Sequence, residues 1–473
     1  MTLKNNKRKQ QLLMRVRLVR LEVIVGSVIG ASALARAVAV SLVLGLFARA
    51  GVAANLLEIY RLALTQDPTL QSAYAQNRAA AQERLIAYSD YLPKIDVAIE
   101  RSSTTQNVLS TENLVFSSGR AKFPTTNYTA TLTQSVVNMA AIANIKRSTA
   151  TIAASDADYQ AARQDLILRT AEAYFNVLIA EDEYRYVQAE KASVEKNLQL
   201  VQAQHVSGLA RITDLRDAEA RHASVLSTES EDYKNLYDAR LALEEIIGSE
   251  PQSLAGLVDS FELSSPSPDN KAAWVKAGIS ANPNVISLRA QLKAARQEVA
   301  RLNAGHYPSI DISASYNRND ARGSLFGGGS EVETTNYALQ LRVPILAGGR
   351  VYAQAKQASE LLNQAQADLD RELRGVKHRT ESSFIGIKSA TVRVNAMTKA
   401  VEAQQLVKAT KTQSYKAGLF TLIAVLDAER DLFIARRDLA RAKYDFILES
   451  LRLERAAGSL DEDDIVRINA WLR

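Results

Sequence analysis

Residues 166–201, LILRTAEAYFNVLIAEDEYRYVQAEKASVEKNLQLV, decide the fold. Leu166, Ala173, Val177, Ala180, Tyr184, Val187, Val194, Leu198 and Val201 follow one another at intervals of 7, 4, 3, 4, 3, 7, 4 and 3. That is a heptad seam, the pattern that keeps one apolar stripe turned toward a partner helix. The seam lies inside residues 140–207, which contain neither Pro nor Gly. A helix of that length runs for about 100 Å at 1.5 Å per residue, more than an ordinary globular domain accommodates. It stops at Gly208, and a second Pro-free stretch of about 40 residues leads to Gly248. So short a turn makes the two helices antiparallel neighbours.

The same signals return in the second half. Residues 350–417 carry a similar seam, Thr380, Phe384, Ile387, Val394, Met397 and Val401, ending at Gly418, with a return stretch to Gly458. Working outward, Asp67-Pro68 is answered by Asn282-Pro283, Tyr91-Leu92-Pro93 by His306-Tyr307-Pro308, and Asn127-Tyr128 by Asn336-Tyr337. Glu172 with Phe175 is answered by Glu381 with Phe384, and Asp217-Ala218-Glu219 by Asp427-Ala428-Glu429. The displacement is 215 residues at Pro68/Pro283 and 209 at Asn127/Asn336, so the units differ in length between those marks. A period this long indicates duplication of a whole structural unit rather than a solenoid.

Each unit opens with a proline at a helix start behind an Asp or Asn cap and runs Ala-rich to Pro93 or Pro308. There the period changes. Ile95, Val97 and Ile99 alternate with Asp96, Ala98 and Glu100, and Ile310, Ile312 and Ala314 with Asp311, Ser313 and Ser315, which predicts strands with one apolar face. Polar stretches at 102–123 and 317–333, the second with Gly327-Gly328-Gly329, predict exposed loops. Tyr128, Ala130, Leu132 and Tyr337, Leu339, Leu341 then predict the returning strands. The expected organisation is a first repeat over 55–270, a second over 271–458 and a tail over 459–473, with strands near 94–104, 125–138, 309–317 and 335–346.

Composition agrees with long helices: nine Pro and 6% aromatics in 473 residues. Residues 1–54 read as a secretory leader. Lys4, Lys7, Arg8, Lys9, Arg15, Arg17 and Arg20 precede an apolar run at 37–48, and Val52-Ala53-Ala54 supplies small residues for cleavage; Met14 is a second possible start. Removing its nine basic residues and one acid (Glu22) turns the formal +6 into −2, which leaves no basic surplus for nucleic acid. Without Cys there is no disulfide framework, thiolate chemistry or lipid-anchor thiol. Past the leader no apolar run reaches the 18 or so residues of a spanning helix, so a mature chain that crosses a bilayer must do so as strands.

Two isolated hairpins would be marginal in water, and four strands cannot close a barrel. Three chains would supply twelve, a workable outer-membrane size with apolar residues outward and polar inward. A plainer alternative is a periplasmic helical-hairpin array, an adaptor or structural spacer whose coiled coils span distance.

In this order the motifs resemble the TolC-like outer-membrane channel family over essentially the whole mature length. Asn282-Pro283, Tyr307-Pro308-Ser309, Val343-Pro344-Ile345-Leu346, Gly348-Gly349-Arg350, and Tyr415 with Gly418 ahead of Val425-Leu426-Asp427-Ala428 carry the likeness. The resemblance implies a mainly α fold with a membrane β-barrel: a homotrimer, twelve strands in outer-membrane lipid, and an α-helical tunnel across the periplasm. Residues 250–270 and 460–473 would form a belt around the tunnel. Pro93, Pro308, Gly348 and Gly349 would mark the helix–strand junctions. The implied partners are a periplasmic membrane-fusion adaptor and an inner-membrane ABC or proton-driven transporter. The likeness is nearest to members serving type I protein secretion, with multidrug or metal efflux as the alternative; neither implies an enzyme or a cofactor.

The resemblance also places a gate at the two glycine turns, Gly208 and Gly418. Asp427 matches a position where the family sets a carboxylate ring on the constriction, a ring that favours cations; the family's second acid, one turn earlier, is here Ala424. Asp214 and Thr213 match positions that hold the gate shut through a Tyr, kept as Tyr415, and an Arg, replaced by Phe420. Arg211 would then pair with Asp427 or Asp217 of a neighbour. On the residues alone, Asp214, Asp217 and Asp427 would equally serve as caps or solvated charges at helix starts. His205, His222, His306 and His378 lack ligand partners at metal-binding spacing, and Asp461-Glu462-Asp463-Asp464 lacks a calcium loop's Gly and reads as a solvated tail.

Overall fold

Asp67 and Asn282 sit in extended backbone with side-chain oxygens accepting the N–H of Leu70 and Asn284, and Pro68 and Pro283 fill the first helical position, where a missing N–H is harmless. These caps start the corresponding helices of the two halves. The computed structural model describes residues 53–110, 119–258, 263–323 and 328–473. The expected leader lies outside these apart from its last two positions, as do Gly327 and parts of both strand connections and of the Ser- and Pro-rich segment.

From Asn55 onward the chain forms one unit. Helix α1 (Leu56–Gln66) precedes α2 (Pro68–Ser89), strands β1 (Lys94–Val108) and β2 (Gly119–Val137), the 68-residue α3 (Met139–Val206) and α4 (Ile212–Ile247). The second pass gives α5 (Lys271–Ala281), α6 (Pro283–Asn303), β3 (Ser309–Ala321), β4 (Ser330–Arg342), the 67-residue α7 (Arg350–Lys416) and α8 (Leu422–Ala457). A short α9 (Glu462–Asn469) closes the chain.

The four strands form one antiparallel sheet in the order β1-β2-β3-β4, so β2 and β3, far apart in sequence, are paired neighbours. Register puts one apolar set on one face: Ile95 opposite Leu132, Leu132 opposite Ala314, Ala314 opposite Tyr337, with Ile312 opposite Leu339 and Ile310 opposite Leu341. The other face is polar, as in Asp96, Thr131, Ser315 and Asn336. The strands outrun the expected bounds. β1 continues to Val108, β2 begins at Gly119, and Arg318 pairs with Glu333 in what reads as loop. Backbone ladder bonds carry the sheet past the end of the apolar alternation, which side-chain pattern does not report. Conversely β4 ends at Arg342; Pro344, which has no N–H to give a ladder, lies beyond it.

α3 packs on α2, α4, α6 and α8, and α7 packs on α6 and α8. The N-terminal part of α3 does this with Ala150, Ala154, Ala157 and Ala161, all buried, whose small side chains let helices approach closely. In the seams Leu166, Ala173, Val177, Ala180 and Val187 are buried, as are Thr380, Phe384, Ile387, Val394 and Val401. Val194, Leu198 and Val201, nearer the turn, are only half-buried. Tyr174 and Phe175 are fully buried, their rings meeting edge-on at 5.5 Å, with Phe175 5.6 Å from Tyr444. Tyr174 donates its hydroxyl hydrogen to the carbonyl of Ala255 at 2.7 Å. There the C-terminus pairs back, with Gly256 N–H to Arg473 O at 3.0 Å and Arg473 N–H to Gly256 O at 2.9 Å.

The acidic run at 461–464 is not a solvated tail. Asp461 caps α9, and Asp464, only 9% exposed, accepts the Asp461 N–H at 3.0 Å and pairs with Arg467 at 2.9 Å.

Candidate functional site at the hairpin turns

The same backbone turn is built twice. Gly208, at φ +74°, follows α3, and Gly418, at φ +75°, follows α7. A left-handed residue at this position redirects the chain while the N–H groups after it satisfy the last helical carbonyls. Leu209 N–H reaches Gln204 O at 2.8 Å in the first turn, and Leu419 N–H reaches Ser414 O at 2.9 Å in the second. His205 Nδ1 lies 3.0 Å from Ala210 O, a contact within the turn.

The helices that return from the turns are capped differently. Thr421 Oγ1 accepts the Ala424 N–H at 3.3 Å, whereas in α4 the Arg211 N–H donates to Asp214 Oδ2 at 3.2 Å. Asp214 therefore serves as a helix-start acid in this chain. Among the described residues no hydrogen bond or ion pair joins Thr213, Asp214 or Asp217 to Tyr415. Tyr415 is 36% exposed, and Phe420, at 47%, also leaves its ring toward solvent.

Asp427 has a partner that sequence spacing does not announce. Arg221, on α4, donates from Nη1 to Asp427 Oδ1, on α8, at 2.8 Å, with the two side chains 39% and 35% exposed. Within the chain the cation on Asp427 is thus Arg221. The partners stand 206 residues apart on different hairpins, so neither helical periodicity nor the repeat marks the pair.

Beside it, Glu429 ties three helices together. Its Oε1 accepts from Lys408 Nζ on α7 at 2.6 Å and its Oε2 from the Ser193 hydroxyl on α3 at 2.7 Å. Burial pushes this carboxyl up, but the Lys408 and Ser193 hydrogen bonds outweigh it and leave it below the ordinary glutamate value. A cleft of about 300 Å³ lies between α3, α4 and α8, lined among others by Asn197, Arg221, Asp427, Arg430 and Phe433. Farther from the turns α3 is joined to α4 by Lys191–Glu229 at 2.7 Å and Arg240–Glu181 at 2.8 Å, and to α8 by Arg452–Glu172 at 2.8 Å. Tyr444 also donates to Asp182 at 3.1 Å, and burial raises the Asp182 carboxyl despite Arg185 beside it.

The junctions at the other end of the long helices differ between the halves. Two residues before Pro93, Tyr91 donates to Val136 O at 2.8 Å and receives Gln134 Nε2 on its own carbonyl at 2.6 Å, which clasps α2 to the end of β2. Asn138 then caps α3 directly, accepting the Ala141 N–H at 3.0 Å. In the second half Pro308 precedes β3, and Gly348 and Gly349, both left-handed, lead from the end of β4 into α7.

The sequence model of the outer membrane efflux protein family matches residues 59–249 and 274–459. The chain is 30% identical over 437 residues to outer membrane protein TolC of Vibrio cholerae, over 92% of this chain and 97% of that protein. It is 29% identical over 421 residues to the alkaline protease secretion protein AprF of Pseudomonas aeruginosa, over 88% and 87% of the two. The fold is similar to that of the CmeC outer membrane channel of Campylobacter jejuni, with a TM-score of 0.76 at 18% identity over 88% of this chain and 89% of that one. With its duplicated hairpins, its one-faced apolar sheet and a sequence match across both halves, the chain belongs to the outer membrane efflux protein family, the efflux and secretion channels of the outer membrane.

Proposed function

We propose that the chain is the outer-membrane channel of a type I secretion pathway, acting as a homotrimer with a periplasmic adaptor and an ATP-driven inner-membrane transporter. The observation that carries the channel reading is the sheet. Ile95 and Val97 at 72% exposure, Leu339 at 72% and Leu341 at 62% face away from every helix, on a surface apolar across all four strands. Such a face suits lipid, and a bilayer core tolerates strands only in a closed barrel. Three copies would supply twelve strands, and the pairs α3/α4 and α7/α8 would continue the lumen as a periplasmic tunnel. Its entrance would lie at the glycine turns, where Asp427, Asp214, Thr213, Tyr415, Asp217 and Arg211 would act, with Asp427 as the charge nearest the constriction.

The secretion reading is supported by the likeness to AprF, named for protease secretion and matched over most of both chains. The test is a deletion strain of the source bacterium, complemented with the wild-type gene. Loss of particular polypeptides from the culture supernatant, with unchanged tolerance of dyes, detergents and antibiotics, is the expected result. Unchanged secretion with lost tolerance would assign the channel to drug efflux instead.

A further inference from the structure

We infer that Arg221 is a selectivity-determining residue of the channel entrance: paired with Asp427 across the two hairpins, it cancels the carboxylate and keeps the entrance from being cation-selective. The inference rests on the proposed placement of Asp427 at the entrance. At 2.8 Å the contact is a charge-assisted hydrogen bond, and with both side chains over a third exposed, the pair's net charge is felt by ions in nearby water. Among the described residues around the pair, Asp217, one turn earlier on α4, is exposed, and the other acids are engaged. Glu429, two residues after Asp427, is committed to Lys408 and Ser193. Ala424, one turn before Asp427, is apolar. Arg430, lining the same cleft, lies 3.2 Å from Asp431, and Glu190, opposite, faces the charges of Arg430 and Arg437. The Arg221–Asp427 contact thus brings one carboxylate and one guanidinium to this level as a neutral pair. A ring of three such pairs carries no net charge.

An unpaired ring acid and a paired one end at different entrance charges after single-residue changes. Removing the acid from an unpaired ring leaves a neutral entrance; removing it from a paired ring leaves three arginines. The experiment is planar-bilayer recording with full-length, membrane-extracted oligomer in a KCl gradient, reading the potassium-to-chloride permeability ratio from the reversal potential. Wild type is expected near unity. Arg221→Gln should raise the ratio by at least about fivefold, the change in cation occupancy alone that a water-screened unit charge produces at about 4 Å. Asp427→Asn should lower it by a similar factor, and the double variant should return to the wild-type value. The charge swap Arg221→Asp with Asp427→Arg should also restore unity. A wild type already strongly cation-selective, whose preference Asp427→Asn simply abolishes, would overturn the inference and leave the channel reading intact. If Arg221→Gln does not assemble, the wild-type ratio and whether Asp427→Asn takes it below unity decide. Absence of any channel from a correctly sized wild-type oligomer would overturn the channel reading and this inference with it.

Discussion

Asp67 and Asn282 occupy the same place in the two halves, and each is almost wholly buried, at 2% and 1% exposure. Both cap a helix whose first residue is proline, yet their second partners differ. Asp67 receives both terminal nitrogens of Arg169, at 3.1 and 3.2 Å, while Asn282 donates from Nδ2 to the carbonyl of Ala456 at 3.0 Å. Duplication kept the cap and diverged the rest, so the residues are not interchangeable. Asp67→Asn retains the cap but strips Arg169 of its buried carboxylate, for about 1.5–3 kcal/mol. Asn282→Asp should do worse, about 3–5 kcal/mol, because it buries a carboxylate against carbonyl oxygens with no cation. Urea unfolding of the detergent-solubilised protein measures both, and the reverse ranking would refute the partner assignment.

Glu454, on α8, is the residue with the clearest pH signature. Burial lifts its carboxyl to about 7, Asp464 beside it adds to the rise, and Arg467, donating at 2.7 Å, opposes it. Its other oxygen, Oε2, is buried without a hydrogen-bond partner, which adds to the cost of its charged form. The folded value thus lies above the ordinary glutamate value of 4.5. The stability it contributes is complete below about pH 4.5 and is lost as pH rises through about 7. Melting temperature should therefore fall by a few degrees between pH 5 and pH 8, and Glu454→Gln should flatten that slope. A slope unchanged in Glu454→Gln would place its origin in another group.

At the scale of elements, the long helices were the most legible part of the chain. The absence of Pro, and in α3 of Gly as well, sets their length, the heptad intervals their buried stripe, and the left-handed glycines their ends. Strand existence was legible from Ile95, Val97 and Ile99 and their counterparts, but strand length was not. Residues such as Gln106 and Arg318 pair through backbone bonds while carrying polar side chains, so nothing in the side-chain alternation records them. At the turns, Gly208 and Gly418 stood out because only a left-handed residue ends both helices this way. The Arg221–Asp427 pair was invisible, since a contact between different hairpins depends on how whole helices pack and not on any local period. The sheet's two faces yield a direct prediction. Leu339→Arg, on the apolar face of β4, should cost about 2–4 kcal/mol in lipid if it lies near the bilayer midplane. Gln340→Arg, on the opposite face, should be close to neutral. Denaturant titration in vesicles compares the two, and equal effects would refute a lipid-facing assignment of the Leu339 face.

At the scale of the whole molecule, the sheet is unfinished. β1 and β4 each pair on one side only, leaving two edges of 15 and 13 residues. In a bilayer an open row of N–H and C=O groups has no water to satisfy it, so the edges must meet other copies. A β1-to-β4 contact uses different surfaces on the two partners, and an interface of that kind either closes into a ring or grows without limit. Four strands per chain and the curvature of a small barrel favour closure at three copies. The chain contains no cysteine, which makes a cross-linking test clean. One cysteine in the middle of β4 can be combined in turn with one at each of several neighbouring positions on β1, since a disulfide forms only where the Cα atoms lie about 4.4–6.8 Å apart. At the matching register, oxidised membranes should yield covalent dimers and trimers, reverting to monomer on reduction, with nothing larger. A ladder continuing to four or more copies would mean that the edges join without closing at twelve strands. Monomers alone at every register would mean that the edges do not meet.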